Sequence, residues 1–135
     1  MRPVGHCTIG VLSGLSGVGV ETIRYYEREG LMPPPARSAS GYRMYGPDDR
    51  SRLVFVRRAR ELGFTLDQVR RLLDLADERA GSCQQAQGVA AAQLREIRRK
   101  LADLRRMERA LNGAVAACSG GTMPRCPLIE ALAAA

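Results

Sequence analysis

The stretch Cys83–Cys118, CQQAQGVAAAQLREIRRKLADLRRMERALNGAVAAC, decides the architecture of this chain. Steps of alternating three and four residues pick out Cys83, Gln87, Ala90, Leu94, Ile97, Leu101, Leu104, Glu108, Leu111, Val115 and Cys118. An apolar stripe kept at this period over five heptads predicts one long helix that pairs as a coiled coil, with Gln87 and Glu108 as polar interruptions. At about 1.5 Å per residue, the two terminal thiols stand roughly 50 Å apart along one chain. They cannot share a site within it. If two copies pair antiparallel, Cys83 of one helix falls beside Cys118 of the other. Cys126, just past the helix end, can fold back to the same place. Three thiols then gather at each end of a dimer, so Cys83, Cys118 and Cys126 are the candidate metal ligands.

Upstream of this helix, Gly81 breaks the chain, and Ser82-Cys83-Gln84-Gln85 is a capping box that opens the helix with Cys83 at its first position. Thr65-Leu66-Asp67-Gln68 is another such box, opening a helix through Val69, Leu72, Leu73 and Leu75. Before it, Gly46-Pro47-Asp48-Asp49 starts a helix running to about Leu62, where Gly63 ends it. Leu53, Val54, Val56, Ala59 and Leu62 are its apolar residues, and Arg50, Arg52, Arg57, Arg58 and Arg60 its cations.

The first segment, Thr8 to Glu29, reads as two short helices around a tight turn. Thr8 caps the first, Ile9, Val11 and Leu12 give it an apolar face, and Gly14, Gly17 and Gly19 crowd the turn. The second helix, Val20 to Arg28, carries Val20 and Ile23 inward and Glu21, Thr22, Arg24, Tyr25 and Arg28 on its other faces. This is a helix-turn-helix candidate, although an ordinary helical hairpin shares the pattern. Gly30 stops the helix and Pro33-Pro34-Pro35 forces an extended exit. Arg37 to Tyr45 then reads as a short β-hairpin, or wing, around Ser40-Gly41. Its Arg37, Tyr42, Arg43 and Tyr45 mix cations with phenols, which suits phosphate contact and sugar packing. At the other end, Ser119-Gly120-Gly121 opens a loop to Cys126-Pro127, where Cys126 is expected to cap a final turn through Leu128, Ile129 and Leu132.

Composition sets the limits. The chain has 135 residues, 45% hydrophobic and 26% charged, with four tyrosines, two phenylalanines and no tryptophan. That suits one small module plus an extended element and not a large core. Lys and Arg number 21 against 14 Asp and Glu, a net charge of +7, and all but Lys100 of the cations are arginine. Basic helices of this kind point to a polyanion, nucleic acid before others, against the alternative of a merely solvated surface. The start, Met1 to Gly10, lacks an apolar run with a cleavage site, and no stretch approaches the roughly 20 apolar residues of a membrane span. A cytosolic protein with reduced thiols is expected.

Cysteines at helix starts, as read for Cys83 and Cys126, favour the thiolate that a metal requires. Three thiolates without a neighbouring histidine make a soft site for Hg(II), Cd(II), Pb(II), Cu(I) or Zn(II), and low coordination favours mercury. A buried structural cysteine, or a redox pair of Cys118 and Cys126, are the competing readings. Cys7, beside His6 in the N-terminal arm, reads as incidental. There is no G-K-[ST] phosphate loop, no usable Ser/His/Asp set and no carboxylate pair in an apolar context, so an enzyme is not expected.

Together these residues resemble a known family. Thr8-Ile9-Gly10 with Val20-Glu21-Thr22-Ile23-Arg24-Tyr25-Tyr26-Glu27-Arg28-Glu29-Gly30-Leu31 resembles the opening of the MerR family of transcriptional regulators. Gly41-Tyr42-Arg43-Met44-Tyr45 is similar to its wing, and Leu62-Gly63-Phe64-Thr65-Leu66-Asp67 to its third-to-fourth helix corner. Cys83, Cys118 and the Cys126-Pro127-Leu128-Ile129 run resemble the mercury-responsive branch.

The resemblance implies a mainly α fold: a winged helix-turn-helix DNA-binding domain over 1–80, an antiparallel coiled-coil dimerisation helix over 81–118, and a metal-binding loop with a short terminal helix over 119–135. It implies a homodimer that binds double-stranded promoter DNA and RNA polymerase, represses without metal, and activates by distorting the promoter when metal binds. By position it implies that Thr22, Arg24 and Tyr25 meet the major groove and its phosphates, and that Tyr42 and Arg43 grip the flanking backbone. Arg57 and Arg58 are weaker candidates. Hg(II) would be held by Cys83 of one subunit with Cys118 and Cys126 of the other. Because the copper-responsive branch has serine where Cys83 stands, Hg(II) ranks first as inducer, then Cd(II), Pb(II) or Zn(II), then Cu(I).

Overall fold

The computed structural model describes residues 5–118 and 127–133, with Cys118 described by its backbone alone. Helices α1 (Ile9–Ser16) and α2 (Val20–Arg28) are followed by strands β1 (Ala36–Arg37) and β2 (Arg43–Met44), then by α3 (Pro47–Glu61), α4 (Leu66–Ala76), α5 (Cys83–Cys118) and α6 (Leu128–Ala133). The chain divides after Ala80 into two compact units, 1–80 and 81–135.

In the first unit, the Thr8 side chain accepts a hydrogen bond from the Val11 amide and starts α1, and Gly17, at φ +74°, ends it. The turn through Gly17 to Gly19 then sets α2 against α1, the helix-turn-helix expected from the glycines. Leu12 and Ser16 are the buried positions of α1. Val11, expected inward, is exposed together with Leu15, because a helix this short has only one buried stripe. In α2 the buried residues are Ile23 and Tyr26, while Val20 is half-buried. The phenol ring of Tyr26 thus takes much of the inward role expected of Val20.

Beyond the proline run, β1 and β2 pair antiparallel with Ala36 opposite Met44 and Arg37 opposite Arg43, the wing expected around Ser40-Gly41. The backbone of Cys7 exchanges two hydrogen bonds with Tyr45, each 2.8 Å, and so joins residue 7 to the wing. The Gly46 amide donates to Asp49 Oδ2 at 2.8 Å with Pro47 at the helix start, which explains why α3 begins there. Leu53, Val56 and Ala59 of α3 are buried, whereas Leu62, expected on the same stripe, caps the helix and is exposed. The Thr65–Gln68 box forms in both directions, 3.1 and 2.9 Å, and α4 buries Val69 and Leu73. Leu12, Ile23, Leu31, Met32, Met44, Tyr45, Leu53, Val56 and Val69 lie at the centre of the core, joined by Val18, Tyr26, Ala59, Phe64 and Leu73.

In the second unit the Ser82–Gln85 box closes at 3.2 and 2.8 Å and Cys83 is the first residue of α5. Gly81 sits at φ +92°, and a Cβ there would lie 2.1 Å from Gln85 Oε1, so only glycine admits the box. Helix α5 runs 36 residues, about 54 Å at the usual rise, and α6 packs against it. Along α5 the seam residues Leu94, Leu101, Leu104, Leu111 and Val115 are exposed in the single chain.

Candidate nucleic-acid interface and metal position

Burial of Ile23 and Tyr26 turns the opposite side of α2 to solvent, with Glu21, Thr22, Arg24, Tyr25 and Arg28 all exposed. Arg24 pairs with Glu21 at 2.9 Å, and Arg28 lies over the Tyr25 ring, 5.9 Å from its centroid. These contacts pre-arrange an outward face of hydroxyl, phenol and guanidinium without burying it. Each partner of an exposed pair of this kind is readily exchanged, because such pairs contribute little in water.

The wing is ordered from within. Arg37 donates to the Gly41 carbonyl at 3.0 Å, the Ser38 amide to the Tyr42 carbonyl at 2.7 Å, and the Tyr42 amide to Ser38 Oγ at 3.2 Å. Tyr42 is left projecting from the tip, 70% exposed. The base of the wing is tied to α2 by one carboxylate, since Glu27 accepts from Arg43 at 3.1 Å and from the Tyr45 hydroxyl. Burial, and then the Glu27 carboxylate, push the Tyr45 phenol up to about 12. Arg43, expected as a backbone grip, is therefore an ion-pair partner as well, and it stays 40% exposed with donors to spare. The geometry brings Thr22, Arg24, Tyr25, Tyr42 and Arg43 into one unit with α2 and the wing fastened together.

A second fastening was not visible in the sequence. Arg52 makes a bidentate pair with Asp77, both contacts 2.8 Å, and its Nε donates to the Leu31 carbonyl at 2.6 Å. One guanidinium thus joins α3, the end of α4 and the exit from α2. The Arg52 hydrogen bonds hold the Asp77 carboxyl below its ordinary value. Arg70 of α4 adds a bond to the Glu29 carbonyl at 3.0 Å. Arginine density on α3 and α4 was the only sequence signal, and it does not distinguish a clamp from a free cation.

Of the three expected metal ligands, Cys83 is described: it is exposed and not in a disulfide, at the start of α5. Cys118 is the last residue of the same helix, with its side chain outside the description, and Cys126 lies outside the described residues. Among the described residues no group of three His, Cys, Asp or Glu side chains gathers around one point. No described helix is long and apolar enough to cross a membrane.

The family model described as MerR HTH family regulatory protein matches residues 7–76, and that described as MerR, DNA binding, matches residues 50–114. The HTH-type transcriptional regulator HmrR of Sinorhizobium medicae is 42% identical over 125 residues, 93% of this chain and 85% of the relative. A mercuric resistance operon regulatory protein of Bacillus cereus is 42% identical over 125 residues, 92% of this chain and 95% of the relative. Among solved structures, the transcription regulator PbrR691 from Ralstonia metallidurans CH34 in complex with lead(II) superposes with a TM-score of 0.55 at 36% identity, covering 93% of this chain and 98% of that one.

Proposed function

This chain belongs to the MerR family of helix-turn-helix transcriptional regulators, and on that premise we propose that it is a Hg(II)-responsive regulator of a mercury-resistance operon. It represses without metal and activates by distorting the promoter when Hg(II) binds. The observation that carries this reading is the pairing of an exposed Cys83 at the first position of α5 with a leucine seam that runs exposed towards Cys118. A homodimer with α5 antiparallel covers that seam, and each fully buried leucine contributes about 1.5–3 kcal/mol. Cys83 of one protomer, with Cys118 and Cys126 of the other, then holds the ion. When bound, the ion supplies a thiolate cross-link between the two protomers.

The 1–80 unit is the DNA-binding domain, 81–118 the dimerisation helix, and 119–135 the metal loop with its terminal helix. Thr22, Arg24 and Tyr25 meet the major groove and its phosphates, and Tyr42 and Arg43 hold the flanking backbone. The Glu27 tie makes α2 and the wing move as one. A reorientation of the two DNA-binding units in the dimer therefore passes to the duplex as bend and twist, which brings two widely spaced polymerase elements into register for RNA polymerase. The cytoplasm is the compartment that suits both reduced thiols and promoter DNA.

Mercury heads the inducers because relatives named as mercuric resistance operon regulators cover most of this chain. The lead(II) complex of the 36% identical neighbour favours Pb(II) as the second reading. The test is competitive retention of Hg(II), Cd(II), Pb(II), Zn(II) and Cu(I) by reduced protein under excess small thiol. Selective Hg(II) retention that Cys83→Ser abolishes supports the proposal. Preference for Pb(II), or for one of the other ions, replaces the inducer but keeps the site. Absence of any retention, with a Cys118–Cys126 disulfide under mild oxidant, selects a redox sensor instead.

A further inference from the structure

Behind the helix-turn-helix turn lies a surface pocket of about 410 Å³, lined by Gly17, Thr22, Tyr26, Arg57, Arg60 and Glu61 among others. Arg57 reaches into it from α3 and passes over the turn so closely that a Cβ on Gly17 would lie 2.7 Å from its Nη1. Its Nε is buried and has no hydrogen-bond partner among the described residues. The nearest carboxylate, Glu61 Oε1, stands 3.8 Å from Nε, beyond hydrogen-bond length. Glu61 therefore orients the guanidinium through charge and leaves its donors unused. Arg60 lines the same pocket and spends one N–H on the Phe64 carbonyl at 3.0 Å. Two guanidinium groups face one carboxylate, so the pocket carries a net positive charge.

We propose that this pocket takes one backbone phosphate of the bound duplex, with Arg57 as its cation. The inference rests on the chain binding DNA as a member of its family. A guanidinium with free donors presents a planar fork that matches two phosphate oxygens, which an ammonium does not. Thr22 is both on the exposed face of α2 and on the pocket wall. A phosphate held there sits at the edge of the base-reading surface and fixes how deeply α2 enters the groove. This contact positions and does not read sequence. Arg58, the next residue along and equally cationic, is exposed and does not line the pocket.

The experiment uses a duplex selected from a randomised pool by the full-length wild-type protein, with affinity measured across a salt series. Arg57→Gln is expected to bind on the order of 10-fold more weakly and to lower the salt slope of the dimer by about 1.8, the release due to one phosphate per protomer. Arg99→Gln, at an exposed position of α5, makes the same charge change and leaves the slope unaltered. A scan with single neutral methylphosphonate linkages gives a readout that a folding defect would not mimic. One linkage in each half-site should weaken wild type and be silent in Arg57→Gln. Equal slopes and an unchanged set of sensitive linkages in Arg57→Gln would overturn the phosphate assignment while leaving DNA binding intact. Failure of wild type to enrich any duplex would overturn the parent reading as well.

Discussion

Glu27 receives hydrogen bonds from Arg43 and Tyr45, so one carboxylate joins α2 to the base of the wing. Tyr45→Phe removes a hydrogen bond to a charged acceptor and should cost about 1.5–3 kcal/mol of stability. It should also change the alkaline limb. Because the Tyr45 phenol is raised from 10.0 to about 12, the unfolded chain loses this proton first, and stability falls as pH rises through that interval. In Tyr45→Phe that fall should be shallower, as measured by denaturant unfolding at a series of alkaline pH values. An unchanged slope would mean that Tyr45 is not the titrating group. In the sequence, their mix of cation and phenol marked Arg43 and Tyr45 as part of a wing suited to phosphate contact. The sequence could not show Glu27 as their partner, since the pairs span 16 and 18 positions with no local pattern linking them.

Elements were legible where the chain punctuates itself. The Thr65 and Ser82 capping boxes, Pro47, and the positive-φ glycines at 17, 30, 63 and 81 mark helix ends by local chemistry alone. Faces were less legible, as Val11 and Leu62 show: which apolar residue turns inward depends on the neighbouring helix. How the elements are clamped was least legible, because an arginine on α3 reads the same whether it binds Asp77 or water. Arg52→Gln should lower stability by about 2 kcal/mol, given a partly exposed pair and the lost bond to Leu31. The Asp77 carboxyl is held low in the fold, so its share of stability is present above the ordinary carboxylate range and is lost as pH falls through its folded value. The acid limb of the stability profile should therefore flatten in Arg52→Gln. An acid limb identical to wild type would place the clamp elsewhere.

At the scale of the whole molecule, the heptad seam is the feature that one chain leaves unfinished. Leu101 and Leu104 are 44% and 59% exposed, and a helix of this length does not keep such a stripe in water without a partner. Leu104→Glu should shift sedimentation from dimer to monomer at micromolar concentration, and a dimer of undiminished affinity would move the interface off the seam. The five-heptad spacing of Cys83 and Cys118 was plain in the sequence, whereas the proposed site around them would be completed only by a second chain.

The most direct measurement joins two defective protomers. A Cys83→Ser chain and a Cys118→Ser chain, carrying different tags, are co-expressed and the mixed dimer is purified. One end of that dimer keeps Cys83 from one protomer and Cys118 with Cys126 from the other. The account predicts one Hg(II) retained per mixed dimer under thiol competition, two by wild type, and none by either mutant homodimer. A mixed dimer that retains no ion while wild type retains two would contradict a site shared between protomers.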